Sequence, residues 1–359
     1  MQTTSKKEIV FVGLSGGVDS SVAANRLIKS GHTVIGVFIK TWQPDFLECT
    51  WEIERLDAMR VAAHLEIPFM TCDAESTYRD DVAQYMIAEY RKGKTPNPDV
   101  MCNKFVKFGT FLKFAIEHGA TRVATGHYAR LEQKNGVSYL YRGVDHSKDQ
   151  SYFLWSLSQE QLGYMHLPVG DTVKDAVRKE ASREKLPTAM KQDSQGICFL
   201  GQVDIKEFLS QYIKSEQGSV LNQEGKVIGS HDGAFFYTIG QRHGFFVTTN
   251  SHESTPYYVI EKDIQNNTIT VSENPKRLSG TMIQLSNVNA IGDPISGECT
   301  AQFRYRQKPF KVLYTQHDND HAIINIIDPH IEFPSLGQSC VLYRGERCLG
   351  GGIINDFLC

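Results

Sequence analysis

The chemistry-bearing residues of this chain fall into two groups. The first is Gly13-Leu14-Ser15-Gly16-Gly17-Val18-Asp19-Ser20, which follows the apolar run Ile9-Val10-Phe11-Val12. This pattern predicts a buried strand, a glycine-rich turn and a helix start. Gly16 and Gly17 lack Cβ atoms, so the backbone can bend tightly and bring its N–H groups close to an anion. Ser15, Ser20 and Ser21 add hydroxyl donors. The helix that follows, with Val22, Ala23, Leu27 and Ile28 apolar, would aim its positive end at that anion. Gly31 is placed to stop it. The turn contains no lysine, and neither Gly-x-x-x-x-Gly-Lys-[Ser/Thr] nor Gly-x-Gly-x-x-Gly is present.

The second group is a pair of distant cysteines. Lys94-Thr95-Pro96-Asn97-Pro98-Asp99-Val100-Met101-Cys102-Asn103 is a loop stiffened by two prolines. A helix beginning near Asn103 would place Cys102 at its N-terminus, where a thiol's pKa falls. Lys104 and Lys107 would reinforce that effect. Asp99, three residues earlier, could exchange a proton or orient a substrate group. Far downstream, Lys191-Gln192-Asp193-Ser194-Gln195-Gly196-Ile197-Cys198-Phe199-Leu200 is a polar approach to a cysteine in a short apolar run. Taken singly, each cysteine also reads as a small buried hydrophobe.

Elements must position these groups. Apolar runs at 33–39, 68–72 and 122–125 alternate with amphipathic stretches at 52–65, 78–92 and 103–118. In the stretch at 52–65, Ile53, Leu56, Val61 and Leu65 lie on or near one face. This rhythm predicts a doubly wound parallel sheet with helices on both faces. Ligands on such sheets bind at the carboxyl ends of the strands, so the loops after the first, second and fourth strands should converge. Beyond residue 200 come one short helix (204–212) and then short alternating runs. Asn266-Asn267 marks a hairpin turn. From residue 283 the chain reads as all-β, in a small barrel or sandwich. The expected domains are 1–203, 204–280 and 281–359.

Composition sets limits. The net charge of −3 is not that of a protein that coats nucleic acid nonspecifically, though a local basic face remains open. The eight cysteines include no Cys-x-x-Cys pair, which argues against a zinc ribbon. No apolar run approaches the roughly 20 residues needed to cross a bilayer, and residues 1–7 lack a signal-peptide core. The expected location is the cytoplasm, with no membrane partner.

The Ser-Gly-Gly-x-Asp-Ser form resembles the pyrophosphatase loop of the N-type ATP pyrophosphatases. Together with Thr95–Asn103, Gly126-His127-Tyr128, Lys148–Leu154, Asp193–Phe199, Thr238–Gly244, Phe303–Arg306 and Cys348–Ile353, it resembles the tRNA-specific 2-thiouridylases, in order along nearly the whole chain. The resemblance implies an adenine nucleotide alpha hydrolase-like domain, a small mixed/β domain and a C-terminal β-barrel. It implies ATP-dependent replacement of the C2 oxygen of the wobble uridine (position 34) by sulfur, with release of AMP and pyrophosphate. Gly13, Leu14, Ser15, Gly16, Gly17, Val18, Asp19, Ser20, Ile39 and Gly126 are then the implied ATP residues, and Asp19 a candidate for Mg2+. Many relatives carry methionine where this chain has Ile39. The implied catalytic residues are Cys198 as persulfide carrier, Cys102 as its partner in a transient disulfide, and Asp99 as acid/base. The implied tRNA contacts are Asn97, Pro98, Asp99, His127, Lys148, Asp149, Gln150, Arg304, Tyr305 and Gln338. The implied protein partner is a sulfur-relay protein or cysteine desulfurase. Arg304–Lys308 also reads directly as charge for phosphates plus an aromatic face for a base, or as a solvated strand. Thr238–Gly244 carries no chemistry, and Cys340 and Cys348 read as core. Three other readings stay open: another adenylating synthetase, a non-catalytic tRNA-binding protein, and a metal site of Cys102, His127 and Cys198.

Overall fold

A computed structural model describes residues 7–47, 50–193, 204–248, 256–275, 277–278 and 280–358. Cys198 lies outside the described residues.

The first unit is a parallel sheet. Strands β1 (Ile9–Gly13), β2 (Thr33–Lys40), β3 (Phe69–Asp73), β4 (Arg122–Ala124) and β7 (Met165–His166) take the order β3-β2-β1-β4-β7. All four pairings are parallel. Chain order reverses between β1 and β4, so the crevice opens there. Val10 and Val12 pack on one face with Ala24 and Leu27 of α1 (Val18–Lys29) and Ala58 and Val61 of α2 (Trp51–His64). Phe11 faces the other side, against the helical runs Glu75–Thr77, Tyr78–Gln84 and Tyr85–Arg91 (together α3) and Pro98–Met101, Cys102–Thr110 and Phe111–Glu117 (together α4). A strand covered on both faces must be apolar throughout, which is why β1 shows no alternation.

Two helices differ from expectation. In α2 the buried residues are Ala58, Val61 and Ala62, whereas Ile53 and Leu56 are exposed. Small side chains let α2 approach the sheet and α1 closely, and this selects a different face from the one marked by the larger residues. Helix α4 begins at Pro98 rather than near Asn103. Asn97 caps it, its Oδ1 accepting from the N–H groups of Asp99 (3.1 Å) and Val100 (3.3 Å). Pro98 at the first helical position has no N–H to satisfy. Cys102 therefore lies a full turn inside the helix, where it is buried.

The middle sheet has the order β10-β9-β8-β12-β11, from β8 (Gly218–Leu221), β9 (Val227–His231), β10 (Phe246–Val247), β11 (Tyr258–Asp263) and β12 (Thr268–Ser272). The β11–β12 pair is antiparallel, and Asn267 sits at its turn with φ +50°. A short ladder joins β13 (Arg277–Leu278) to β18 (Ile331–Glu332).

The last unit closes on itself. Strands β14 (Met282–Ala290), β15 (Gly297–Gln302), β16 (Phe310–Gln316), β17 (Ala322–Ile326), β19 (Ser339–Arg344) and β20 (Arg347–Leu358) run in the order β14-β17-β16-β15-β19-β20, and β14 pairs with β20. The hairpin β5 (Ala129–Lys134) and β6 (Val137–Arg142) from the first unit extends this sheet through β20. The hairpin had no expectation attached. Arg304–Lys308 do not form the solvated strand that the sequence allowed: the chain turns after β15, with Arg306 at φ +62°.

Gly350, Gly351 and Gly352 let β20 pass between β14 and β19. A Cβ on Gly350 would overlap the Asn289 carbonyl oxygen, and one on Gly351 the Cys340 carbonyl oxygen. Gly350 also has φ +116°. Gly350→Ala is expected to cost about 3 kcal/mol, from overpacking and backbone strain together. Thermal unfolding would show it as a lowered Tm. Gly163, with nothing within 4 Å of a Cβ, is the control, and Gly163→Ala should be near neutral.

Candidate nucleotide and nucleic-acid site

The loop between β1 and α1 is a built turn. Gly16 has φ +68°, and a Cβ there would sit 2.8 Å from Asp57 Cβ and from the Glu54 carbonyl oxygen on α2. Gly17 is the N-cap, and its carbonyl oxygen accepts from Ser21 Oγ (2.7 Å) and Ser20 Oγ (3.2 Å). Ser15 N–H donates to Ser20 Oγ at 3.3 Å. The serines thus hold the turn, leaving the first N–H groups of α1 at the crevice. Leu14 N–H donates to the Val37 carbonyl oxygen (2.8 Å), tying the turn to β2. Val18 is buried behind it. Gly126, after β4, packs so closely that a Cβ would lie 2.6 Å from Ser20 N. Ile39, at the end of β2, lies beside Gly13 and is buried. The ends of β1, β2 and β4 therefore converge as expected.

Asp19 is held by groups that its own loop lacks. Lys174, the first residue of α5 (Lys174–Arg183), places its Nζ 2.7 and 2.8 Å from the two Asp19 oxygens. Tyr128 Oη donates to Asp19 Oδ1 at 2.7 Å. Lys174 Nζ is also 2.8 Å from Asp193 Oδ1. Lys148 and Arg178 each meet Asp193 at 2.8 Å as well. Burial opposes ionisation of Asp193, but the hydrogen bonds and charges of Lys148 and Lys174 outweigh it and hold its pKa down to about 2. Burial, then the Asp19 charge, pushes the Tyr128 phenol far up, so it stays a donor. Lys174 and Arg178 escaped the sequence reading because they lie more than 150 residues from the turn, in a stretch with no motif. The missing lysine of the turn was the only hint.

This arrangement does not fit a magnesium ion bound directly by Asp19, because the Lys174 ammonium 2.7–2.8 Å from both oxygens already supplies the countercharge and would repel a second cation there. Among the described residues no group of three His, Cys, Asp or Glu side chains could hold a metal.

A second locus forms where α4 meets the barrel. Pro96, Asn97, Tyr152, Arg304, Tyr305 and Gln338 line a cavity of about 130 Å³. Beside it runs a groove of about 880 Å³, whose walls include His146, Lys148, Tyr152, Tyr305, Arg306 and Lys308. Tyr152 and Tyr305 line both. Tyr305 packs against Phe153 with centroids 4.6 Å apart and ring planes tilted by 48°. The tight turn after β15 brings Tyr305, Arg306 and Lys308 to one rim.

Not every expected contact faces these cavities. His127 is buried; its Nδ1 and Thr125 Oγ1 share a 2.7 Å hydrogen bond. Burial, reinforced by the Lys107 charge, keeps its imidazole well below the ordinary range and so neutral. Asp149 does line the groove, but it is buried and its carboxylate is engaged by Arg142 Nη1 (2.8 Å) and by Gly143 N, Ser151 N and Ser151 Oγ (3.0 Å each). Gln150 Oε1 accepts from Tyr128 N–H at 2.9 Å. Asp99 and Pro98 are half-buried in the first turn of α4. Four other cysteines share burial with Cys102. Burial pushes Cys72 and Cys348 to about 12 and Cys299 to about 11, and Cys340 well above the usual thiol range.

A five-stranded parallel sheet with a glycine-serine turn at its switch point, followed by a β unit and a closed barrel, defines a multi-unit nucleotide-binding α/β protein. Three family models match in sequence order. They are described as tRNA methyl transferase HUP domain (residues 8–202), tRNA methyl transferase PRC-barrel domain (206–273) and aminomethyltransferase beta-barrel domain (281–354). The tRNA-specific 2-thiouridylase MnmA of Enterococcus faecalis is 43% identical over 364 residues, covering 99% of this chain and 97% of that protein. That of Bacillus subtilis is 42% identical over 358 residues, covering 97% and 95%. The chain belongs to the tRNA-specific 2-thiouridylase family. Among solved structures, a 4-thiouridine synthetase–RNA complex with bound ATP matches 57% of this chain and 50% of that one, at 18% identity and TM-score 0.34. The U34-tRNA thiolase NcsA of Methanococcus maripaludis matches 59% and 66%, at 15% identity and TM-score 0.36.

Two outcomes follow from this geometry. Gly126→Ala should weaken ATP binding at least tenfold, measured by calorimetry, because its Cβ would displace the N-terminus of α1. For Asp193, a depressed pKa means that the carboxylate stabilises the fold above its unfolded value near 4. That contribution, about 1 kcal/mol after solvent screening, is lost as pH falls toward about 2. The stability difference between wild type and Asp193→Asn should therefore shrink across that window in denaturant titrations.

Proposed function

We propose that this protein is an ATP-dependent tRNA sulfurtransferase that converts the C2 carbonyl of the wobble uridine to a thiocarbonyl in the cytoplasm. The observation that carries this reading is the ion-pair chain Asp19–Lys174–Asp193–Lys148. It runs from the anion-binding turn to Asp193, five residues before Cys198, and on to Lys148 in the wall of the basic groove. The five residues of chain from Asp193 to Cys198 reach at most about 18 Å, a length compatible with sulfur delivery at the nucleotide turn. Family membership and the tyrosine-lined cavity beside Asn97 support the same reading.

The roles follow from position. The uridine O2 attacks the α-phosphorus of ATP, and pyrophosphate departs toward the N–H groups of Ser15–Ser20. Ile39 and the backbone at Gly13 and Gly126 form the apolar and close-packed walls for adenosine. A carbonyl oxygen turned into an AMP leaving group can be displaced. A persulfide on Cys198 attacks C2, AMP leaves with the original oxygen, and a C2–S–S–Cys198 linkage results. The Cys102 thiolate then attacks the Cys198 sulfur. This forms a Cys102–Cys198 disulfide and frees the C2 sulfur as the thiocarbonyl; two external thiol equivalents reduce the disulfide. Asp99 and Cys102 are three apart on one helix, so their Cβ atoms lie about 5–6 Å from each other. Asp99 is thereby within reach to take the Cys102 proton. A sulfur-relay protein or cysteine desulfurase supplies the sulfane sulfur. The target base must leave the anticodon stack to enter the cavity beside Asn97. Lys148, Arg306 and Lys308 counter the phosphates, and Tyr305 offers a stacking face. Among the described residues, no helix is long and apolar enough to cross a membrane.

The test is a single-turnover incubation of unmodified tRNA with ATP, magnesium and a persulfide donor, followed by mass analysis of the nucleosides. One 2-thiouridine should appear per pyrophosphate released. Cys198→Ser should abolish it with a persulfide donor, and Asp99→Asn should slow it about 10²-fold. Pyrophosphate without 2-thiouridine would instead indicate another adenylating synthetase, and tRNA binding without pyrophosphate a binding protein.

A further inference from the structure

The segment Thr238-Ile239-Gly240-Gln241 is singled out by its sequence but has no part in the chemistry above. In the structure it is a closed turn. Gln241 Oε1 accepts from Thr238 N–H at 3.1 Å, and Gln241 N–H donates to the Thr238 carbonyl oxygen at 3.0 Å. Gly240 has φ +89°, and its N–H donates to the Val259 carbonyl oxygen at 2.8 Å, pinning the turn to β11.

Three groups of this turn reach other parts of the protein. Ile239 N–H donates to Ser335 Oγ (3.0 Å), whose residue is buried. The Ile239 carbonyl oxygen accepts from Arg304 Nη2 at 2.9 Å. Arg304 Nη2 also reaches the Phe333 carbonyl oxygen at 3.5 Å, and Nη1 lies 3.5 Å from Glu332. A Cβ on Gly240 would lie 3.3 Å from Arg304 Nη2, so the guanidinium is seated directly on the turn. The Thr238 hydroxyl hydrogen-bonds the Thr95 hydroxyl at 3.3 Å. Thr95 N–H in turn donates to the Leu336 carbonyl oxygen at 2.7 Å, and a Cβ on Gly337 would sit 3.1 Å from Thr95 N. Thr95 is two residues from Asn97, the cap of α4, and four from Asp99.

We propose that this turn, through Thr238 and Arg304, is the positioning element of the reacting helix. It fixes the loop before Asn97 against the barrel, and so sets where Asp99 and Cys102 stand relative to a base held between Asn97 and Tyr305. Thr238 is a positioning residue that touches neither substrate nor reacting atoms, and Arg304 ties the turn to the cavity wall of which it is itself a part. This assigns Arg304 to a different task from the phosphate contact expected of it. Its guanidinium is occupied by two carbonyl oxygens and faces Glu332, whereas the neighbouring Arg306 and Lys308 line the open groove. Two tight turns made of short side chains are a suitable device: they hold a loop to a few tenths of an ångström, and reacting geometry depends on that scale.

The inference rests on the sulfurtransferase reading, and the test separates the two. Thr238→Val keeps the shape and removes the hydroxyl; Thr238→Ser keeps the hydroxyl. Single-turnover thiolation, tRNA dissociation constants across a salt series and amide hydrogen exchange over residues 97–102 are measured on the full chain. Thr238→Val should lower the thiolation rate constant about tenfold, leave the tRNA dissociation constant within twofold and speed exchange in the first turn of α4. Thr238→Ser should restore all three. The double variant Thr95→Val/Thr238→Val should be no slower than either single one, because both remove the same bond. Arg304→Gln should lower the rate with an unchanged salt slope, whereas a phosphate contact would lower that slope by about 0.7–0.9. Wild-type rates and exchange in Thr238→Val, multiplicative losses in the double variant, or a reduced slope at wild-type rate in Arg304→Gln would each overturn the inference. If the wild-type protein makes no 2-thiouridine, the sulfurtransferase reading fails, and hydrogen exchange alone still decides whether Thr238 holds the helix.

Discussion

The ammonium of Lys174 sits between two carboxylates that the chain brings from opposite ends of the first unit, and the site is organised around that contact. Asp19 at the start of α1 and Asp193 at the approach to Cys198 would repel each other without it. Lys174 is buried, and a buried cation is tolerated only when paired. Its two partners are therefore conditions of its placement. The result is a joint that fixes the distance between the nucleotide turn and Asp193. Removing one carboxylate would leave the ammonium half-compensated, so the joint is held from both sides.

A second constraint is close approach without side chains. Gly16 against α2, Gly126 against Ser20, and Gly350 and Gly351 between two barrel strands all lie where a methyl group would collide with backbone. At the turn the space so gained exposes N–H groups to an anion. In the barrel it lets β20 pair with β14 and β19 and so closes the sheet. The same residue type serves chemistry in one place and architecture in the other, and only the neighbours tell which.

The three units meet at the loop before Asn97 rather than lying end to end. The β5–β6 hairpin extends the barrel sheet, Thr95 bonds to the barrel and the middle turn, and Arg304 bonds back to that turn. A cavity assembled from three parts of the chain can be altered by changes far from the reacting atoms. Arg304 and Asp149, which the resemblance implies as tRNA contacts, line the cavity and the groove and are at the same time tied to neighbouring parts of the chain.

Local regularities were legible in the sequence. The strand–turn–helix at 9–29, the parallel rhythm of the first half, the β11–β12 hairpin and the all-β end rest on periodicity and on glycine or asparagine at turns. These are nearest-neighbour properties of the chain. Helix faces were less legible. Ile53 and Leu56 marked the wrong side of α2, because packing distance favoured Ala58 and Ala62. The start of α4 was read five residues late, because a proline looks like a break until its missing N–H is placed at a helix start. Nothing local connects Lys174 to Asp19, Thr238 to Thr95 or Arg304 to Ile239. Those pairings join residues from 65 to 155 positions apart. The sequence by itself determined which elements form and which residue types face the turn. Only the tertiary structure decided which charges are neutralised, which polar groups are used up and which stay open to a ligand, because burial and pairing are properties of the assembled surface.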